Sequence, residues 1–224
     1  MSEISEVKIM RHLISIFIFL ICFKAYSQER QFPFVSNYGG IFPIERAAPV
    51  PDPKMEYKIV VEVATGSEKP EELNFAINNL ARLMNLHAQA GVPKDQIKVV
   101  AAVHGEAAYA VMNNEAYRKK YNTDNPNLGL LTELKKAGVE LYICGQSLFA
   151  RKIQRETLAP EMTVALSMLT TVTTMQMKGY AFLVIDYSQE HNLLFTCAMD
   201  DGEIWTLSNQ EIRIQKNISL GRNH

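Results

Sequence analysis

The sequence predicts an α/β protein built on a mainly parallel sheet of four or five strands, with a short β tail, and three observations carry this reading. β-rich runs of strand length recur as KIVVEV (Lys58 to Val63), IKVVAAV (Ile97 to Val103) and the alternating Val139, Leu141 and Ile143. Between them lie stretches with apolar residues at helical spacing, as in the crossovers that join parallel strands. The 224 residues, 47% hydrophobic and 21% charged, suffice for one folded domain with extensions.

The amino terminus precedes this domain in two parts. Lys8, Arg11 and His12 stand before an apolar run from Leu13 to Phe23, and Ala25 and Ser27 follow it, a pattern that predicts a signal peptide over residues 1–27. The run is too short for a comfortable membrane span, so the mature chain is expected in the periplasm or outside the cell without a stable membrane anchor. Residues 28–55 hold Pro33, Pro43, Pro49, Pro51 and Pro53, which predict an extended leader. Its aromatics Phe32, Phe34, Tyr38 and Phe42 leave two readings open, a segment lying against the domain or a neighbour, and a flexible spacer.

The domain is predicted over residues 56–186. After the first strand, Thr65-Gly66-Ser67 forms a turn, and Pro70 with Glu71 and Glu72 is expected to open a helix carrying Leu73, Ala76, Ile77, Leu80 and Met84 on one side. Gly91-Val92-Pro93 ends it before the second strand, completing a βαβ unit. A helix is expected between Glu106 and Tyr121 and another over Leu128 to Lys136. The third strand runs into Cys144-Gly145 and a short helix from Gln146 to Ile153. Met162 to Leu166 suggest a brief fourth strand, Ala165 to Met175 a helix stopped by Gly179, and Tyr180 to Ile185 a last buried strand. Residues 187–224 read as a β-hairpin-like tail, with Leu193 to Ala198 facing Glu203 to Leu207 across Asp200-Asp201-Gly202.

Several classes of function are disfavoured. Lys and Arg number 23 against 24 Asp and Glu, and no basic run is present, so no nucleic-acid partner is expected. The cysteines, Cys22, Cys144 and Cys197, are too few for a disulfide scaffold, and without CxxC or Cys/His zinc spacing no metal or other cofactor is expected. Cys144 and Cys197 either pair in an oxidising compartment or remain separate thiols.

The candidate chemistry gathers at the carboxyl ends of strands two and three, the edge where open parallel sheets place their ligands. Cys144 ends a strand and begins a helix, where unpaired amides and the helix dipole favour thiolate over thiol. His104-Gly105 follows the second strand on the same edge, His104 serving as a base, a hydrogen-bond partner or a plain strand-end histidine. Gly105, Gly145, Gln146, Ser147, Arg151 and Thr65 complete the candidate ligand-binding set. Arg151 either turns toward the site or stays solvated, and the Glu106 carboxylate is expected to raise a nearby thiol.

The pieces VVAAVHGEAAYAVM, LLTELKKAGVELYICGQSLFAR and MTVALSMLTTVTTMQMKGYAFLVI, in this order, resemble the DsrE/DsrF-like (YchN-like) family over about Tyr57 to Ile185. The resemblance implies a three-layer α/β/α domain assembling as homo-oligomeric trimers or hexamers. It also implies that Cys144 stands where sulfur-carrying members hold a persulfide, with a sulfur donor or acceptor protein as partner. Export sets this chain apart from cytoplasmic sulfur relays. Three functions follow: an exported persulfide carrier or thiol-reactive protein, a non-catalytic oligomeric module binding a small ligand or partner, and a Cys/His hydrolase. The sequence assigns no third group to orient the histidine of a hydrolase.

Overall fold

The computed structural model describes residues 29–184, together with the backbone of four short strands between residues 194 and 223. The domain runs as β1 (Tyr57–Val63), α1 (Phe75–Gln89), β2 (Ile97–Val103), α2 (Asn114–Tyr121), α3 (Leu128–Lys136), β3 (Glu140–Cys144), α4 (Gly145–Arg151), β4 (Thr163–Ala165), α5 (Met168–Met177) and β5 (Ala181–Val184). Its five strands form one sheet in the order β4-β3-β2-β1-β5, and every neighbouring pair is parallel. The predicted fold class is therefore the observed one.

The pleat sorts the residues of these strands into two cores. Val61, Val63, Val99, Ala101, Val103, Leu141 and Ile143 face a large core built with α1, α2, α3 and α4. Val60, Val100 and Ala102 face the other way, against Val172 of α5, with Tyr142, Met168, Met175 and Tyr180 around them. Among the described residues the layers are thus unequal: one face carries four helices and the other a single one.

Three boundaries differ from expectation for local reasons. The first helix opens at Phe75, not at Pro70, because the Asn74 side chain accepts from the Ile77 amide while its own amide donates to Asn127 Oδ1 at 2.7 Å. Leu73 accordingly lies outside the helix and is exposed. Between Glu106 and Tyr121 the chain makes a 3-10 turn over Gly105–Val111 and then α2, which starts afresh at its Asn113 cap. The last strand, expected to be buried, is an edge strand whose Phe182, Leu183 and Val184 are each more than a third exposed. Apolar composition marked it as a strand but carried no information about what covers it.

The proline-rich leader is docked, which decides between its two readings for residues 31–42. Gln31 and Ile41 pair backbone to backbone, and Val35 and Ile41 are fully buried. Asn85 of α1, itself buried, holds the segment: its Oδ1 accepts from the amides of Phe34 and Val35, both at 2.9 Å, and its Nδ2 donates to the carbonyls of Tyr38 and Gly39. Asn78, two turns earlier, accepts from the Gly39 amide. A buried amide group satisfied on both sides makes the leader part of the domain's surface.

In the tail, β6 (Leu194–Ala198) and β7 (Ile204–Ser208) pair antiparallel, as the hairpin reading expects, and β8 (Lys216–Asn217) pairs with β9 (Arg222–Asn223). The predicted signal peptide and the Asp200-Asp201-Gly202 turn lie outside the described residues. Among the described residues no helix is long and apolar enough to cross a membrane.

Candidate functional site

Cys144 is the last residue of β3 and the cap of α4, and it faces α5 because it shares the pleat side of Tyr142. It is a free thiol and only 6% exposed. Burial pushes its pKa up, yet donors around the sulfur outweigh that and hold it below the ordinary thiol value: the amides of Met168, Ser147 and Gln146, and the Ser147 hydroxyl. Cys144 makes no side-chain cap hydrogen bond to α4, so the amides act on it as a loose cradle for an anion.

Two helix ends therefore meet at one sulfur. The α4 amides are those foreseen from the sequence. The Met168 amide of α5 is an addition that sequence reasoning missed, although Ser167 before an apolar helical run is a cap signal. Ser167 Oγ accepts from the Leu169 amide at 3.1 Å, which leaves the Met168 amide for Cys144.

Two glycines permit this approach. A side chain at Gly145 would bring its Cβ to 2.8 Å from the Ala165 carbonyl, and β4 pairs with β3 at that point. Gly105 has φ +57°, and a Cβ there would stand 2.8 Å from the Ala64 carbonyl. In that conformation its amide donates to Ser147 Oγ at 3.2 Å, so the hydroxyl is free to give its proton to the sulfur. Gly105, Gly145, Gln146 and Ser147 are thus brought together around Cys144.

His104 stands on the same edge, as expected. It remains extended after β2, next to Cys144 by the register that pairs Val103 with Ile143. Its Nε2 lies 2.8 Å from Oε1 of Glu62 on β1, and no hydrogen bond joins it to the sulfur. Glu62 was not singled out in the sequence, though a lone carboxylate inside KIVVEV was the available signal. It is the one carboxylate that the structure places on the His104 ring among the described residues.

Arg151 and Thr65 are not among the groups that donate to the sulfur. Arg151 neither points to the thiol nor is solvated: its Nη2 donates to Glu106 Oε1 at 2.9 Å with the side chain 24% exposed. The Glu106 carboxylate is thus engaged by Arg151, and the net direction of the thiol is down, not up. Thr65 lies in the loop after β1, its carbonyl held by Asn74 Nδ2 at 2.7 Å. Among the described residues, Thr65 Oγ1, Ser67 Oγ and Arg151 Nε are buried without a partner. The described cavity of about 390 Å³ is lined by Arg155, Leu158, Met162 and their neighbours, not by Cys144. Among the described residues no cluster of three metal-ligating side chains occurs.

The sequence model of the DsrE/DsrF-like family matches residues 55–185. The chain belongs to the DsrE/DsrF-like family. No curated protein matches it. Solved structures similar to it include a protein of unknown function from Methanobacterium thermoautotrophicum, 17% identical, TM-score 0.43, covering 57% of this chain and 98% of that one. The ychN protein from E. coli is 15% identical with TM-score 0.41, covering 58% of this chain and 99% of its own. The DsrE-like match spans β1 to β5 and leaves out nearly all of the docked leader and the tail.

Proposed function

We propose that this DsrE-like protein is exported and carries sulfane sulfur as a persulfide on Cys144, taking it from one thiol-bearing partner and giving it to another. The observation that carries the reading is the donor cradle: amides from two helix ends and one hydroxyl favour the anionic sulfur that both the attack and the persulfide product require. The family resemblance supports it, because Cys144 falls where sulfur-carrying members hold their persulfide. The leading residues 1–27 support export. A homo-oligomer is supported by the apolar side chains left exposed around the single-helix face, including Leu169, Met177 and Phe182.

The low exposure of Cys144 favours one alternative, an oligomeric module in which the Cys144 and His104 edge of the sheet binds a small thiol or anion without turnover. Intact mass after treatment with a polysulfide separates the two. The carrier reading expects the mass of sulfur added to the mature protein, retained in Cys197→Ser and absent in Cys144→Ser. An unmodified Cys144 leaves the binding module.

A further inference from the structure

Glu62 is a charge in an unusual place. It sits near the carboxyl end of β1, between the buried Val61 and Val63, and projects toward the α5 face as Val60 does. A carboxylate so placed is costly without a partner, and its partner is His104, at 2.8 Å with the two side chains 25% and 21% exposed. His104 continues the pleat of Val100 and Ala102, and Cys144 that of Tyr142, so carboxylate, imidazole and thiol share one face of three adjacent strands. Neighbouring strands are about 4.8 Å apart, which sets the backbone of His104 beside that of Cys144, with the ring reaching to Glu62 on β1. Among the described residues, α5 (MLTTVTTMQM) brings no charge to them, Tyr142 Oη donates to Glu140, and Glu106 is engaged by Arg151. With Nε2 on Glu62, Nδ1 is the ring nitrogen left to exchange a proton, and among the described residues it has no hydrogen bond.

The geometry points to Glu62 as the positioning residue of His104, and to His104 as the acid that protonates the thiol leaving the sulfur donor. This rests on the carrier reading. With a persulfide donor R–S–SH, the Cys144 thiolate attacks the outer sulfur and forms the Cys144 S–S bond. The donor's S–S bond breaks, its electron pair leaves with R–S, and the imidazolium delivers a proton to give R–SH. The neutral imidazole then takes the proton of the new Cys144–S–SH, leaving the anionic persulfide with no net oxidation or reduction.

Protonation matters only where the departing group is basic. Glutathione persulfide releases an alkyl thiol, whereas benzenethiosulfonate releases a sulfinate that needs no proton. The experiment measures loading of Cys144 from both donors in wild type, Glu62→Gln, Glu62→Asp and His104→Asn, with iodoacetamide alkylation as the check on the thiol itself. Glu62→Gln is expected to lose about tenfold with the persulfide, less than the roughly 10²–10⁴-fold of a lost general acid because His104 itself remains, and less than about twofold with the thiosulfonate. His104→Asn should lose more on the first donor only, Glu62→Asp should recover part of the loss, and alkylation should match wild type. Equal losses on both donors, or none on the persulfide, overturn the assignment while leaving Cys144 a carrier. A wild-type protein that takes sulfur from neither donor removes the carrier reading and this inference with it.

Discussion

At the scale of the residue, the site is a contest between burial and donors at a single sulfur, and the donors prevail. Because the folded thiol is held below its ordinary value, the unfolded chain binds more protons in the window between the two, and stability rises with pH across it. That contribution is complete above the ordinary value and lost as pH falls through the folded one. Cys144→Ser should abolish this pH-dependent part of the denaturation midpoint. Ser147→Ala removes one donor and should raise the thiol. The rise leaves less thiolate but makes it more nucleophilic, so alkylation near neutral pH should fall by less than the thiolate does, by roughly a few-fold. The sequence showed Cys144 and its α4 amides because they are adjacent in the chain. It hid Met168 and Glu62 because these reach the site through the crossover to α5 and through sheet register, neither of which local spacing encodes.

Among elements, the docked leader carries the clearest test. Asn85→Ala would strand the amides of Phe34 and Val35 without their acceptor, at a cost of about 2–4 kcal/mol, and should free the leader for proteolysis near residues 31–42. A leader that stays protected in that variant would mean that Val35 and Ile41 hold it unaided. Gly145→Val is expected to force β3 from β4 and lower stability by about 1–3 kcal/mol, read from the urea midpoint. The elements themselves were largely legible: β2 and α3 fall on their predicted residues, because β-branched runs and helical spacing are local signals. The start of α1 was not, since the Asn74 cap depends on Asn127, distant in sequence. Proline density correctly marked the leader as irregular but could not show that Asn85 waits for it.

For the whole molecule, the two faces of the sheet are unequally covered, and the sparse one ends in exposed apolar side chains, with Leu169 68% and Met177 89% exposed. An assembly that buries α5 and β5 accounts for them. Leu169→Glu with Met177→Glu should shift sedimentation toward the monomer while leaving the circular dichroism spectrum unchanged. Sedimentation identical to wild type would place any interface elsewhere. Composition foretold a parallel sheet because its strands are apolar on both sides, yet the same composition led β5 to be read as buried inside one chain.

The account stands on a sulfur poised as an anion by two helix ends, and the pH dependence of Cys144 alkylation by iodoacetamide tests it most directly. The midpoint is expected below the ordinary thiol value of about 8.5 and should move up in Ser147→Ala. A midpoint at or above that value, unmoved by Ser147→Ala, would mean that burial outweighs the amides and that Cys144 is an inert core thiol.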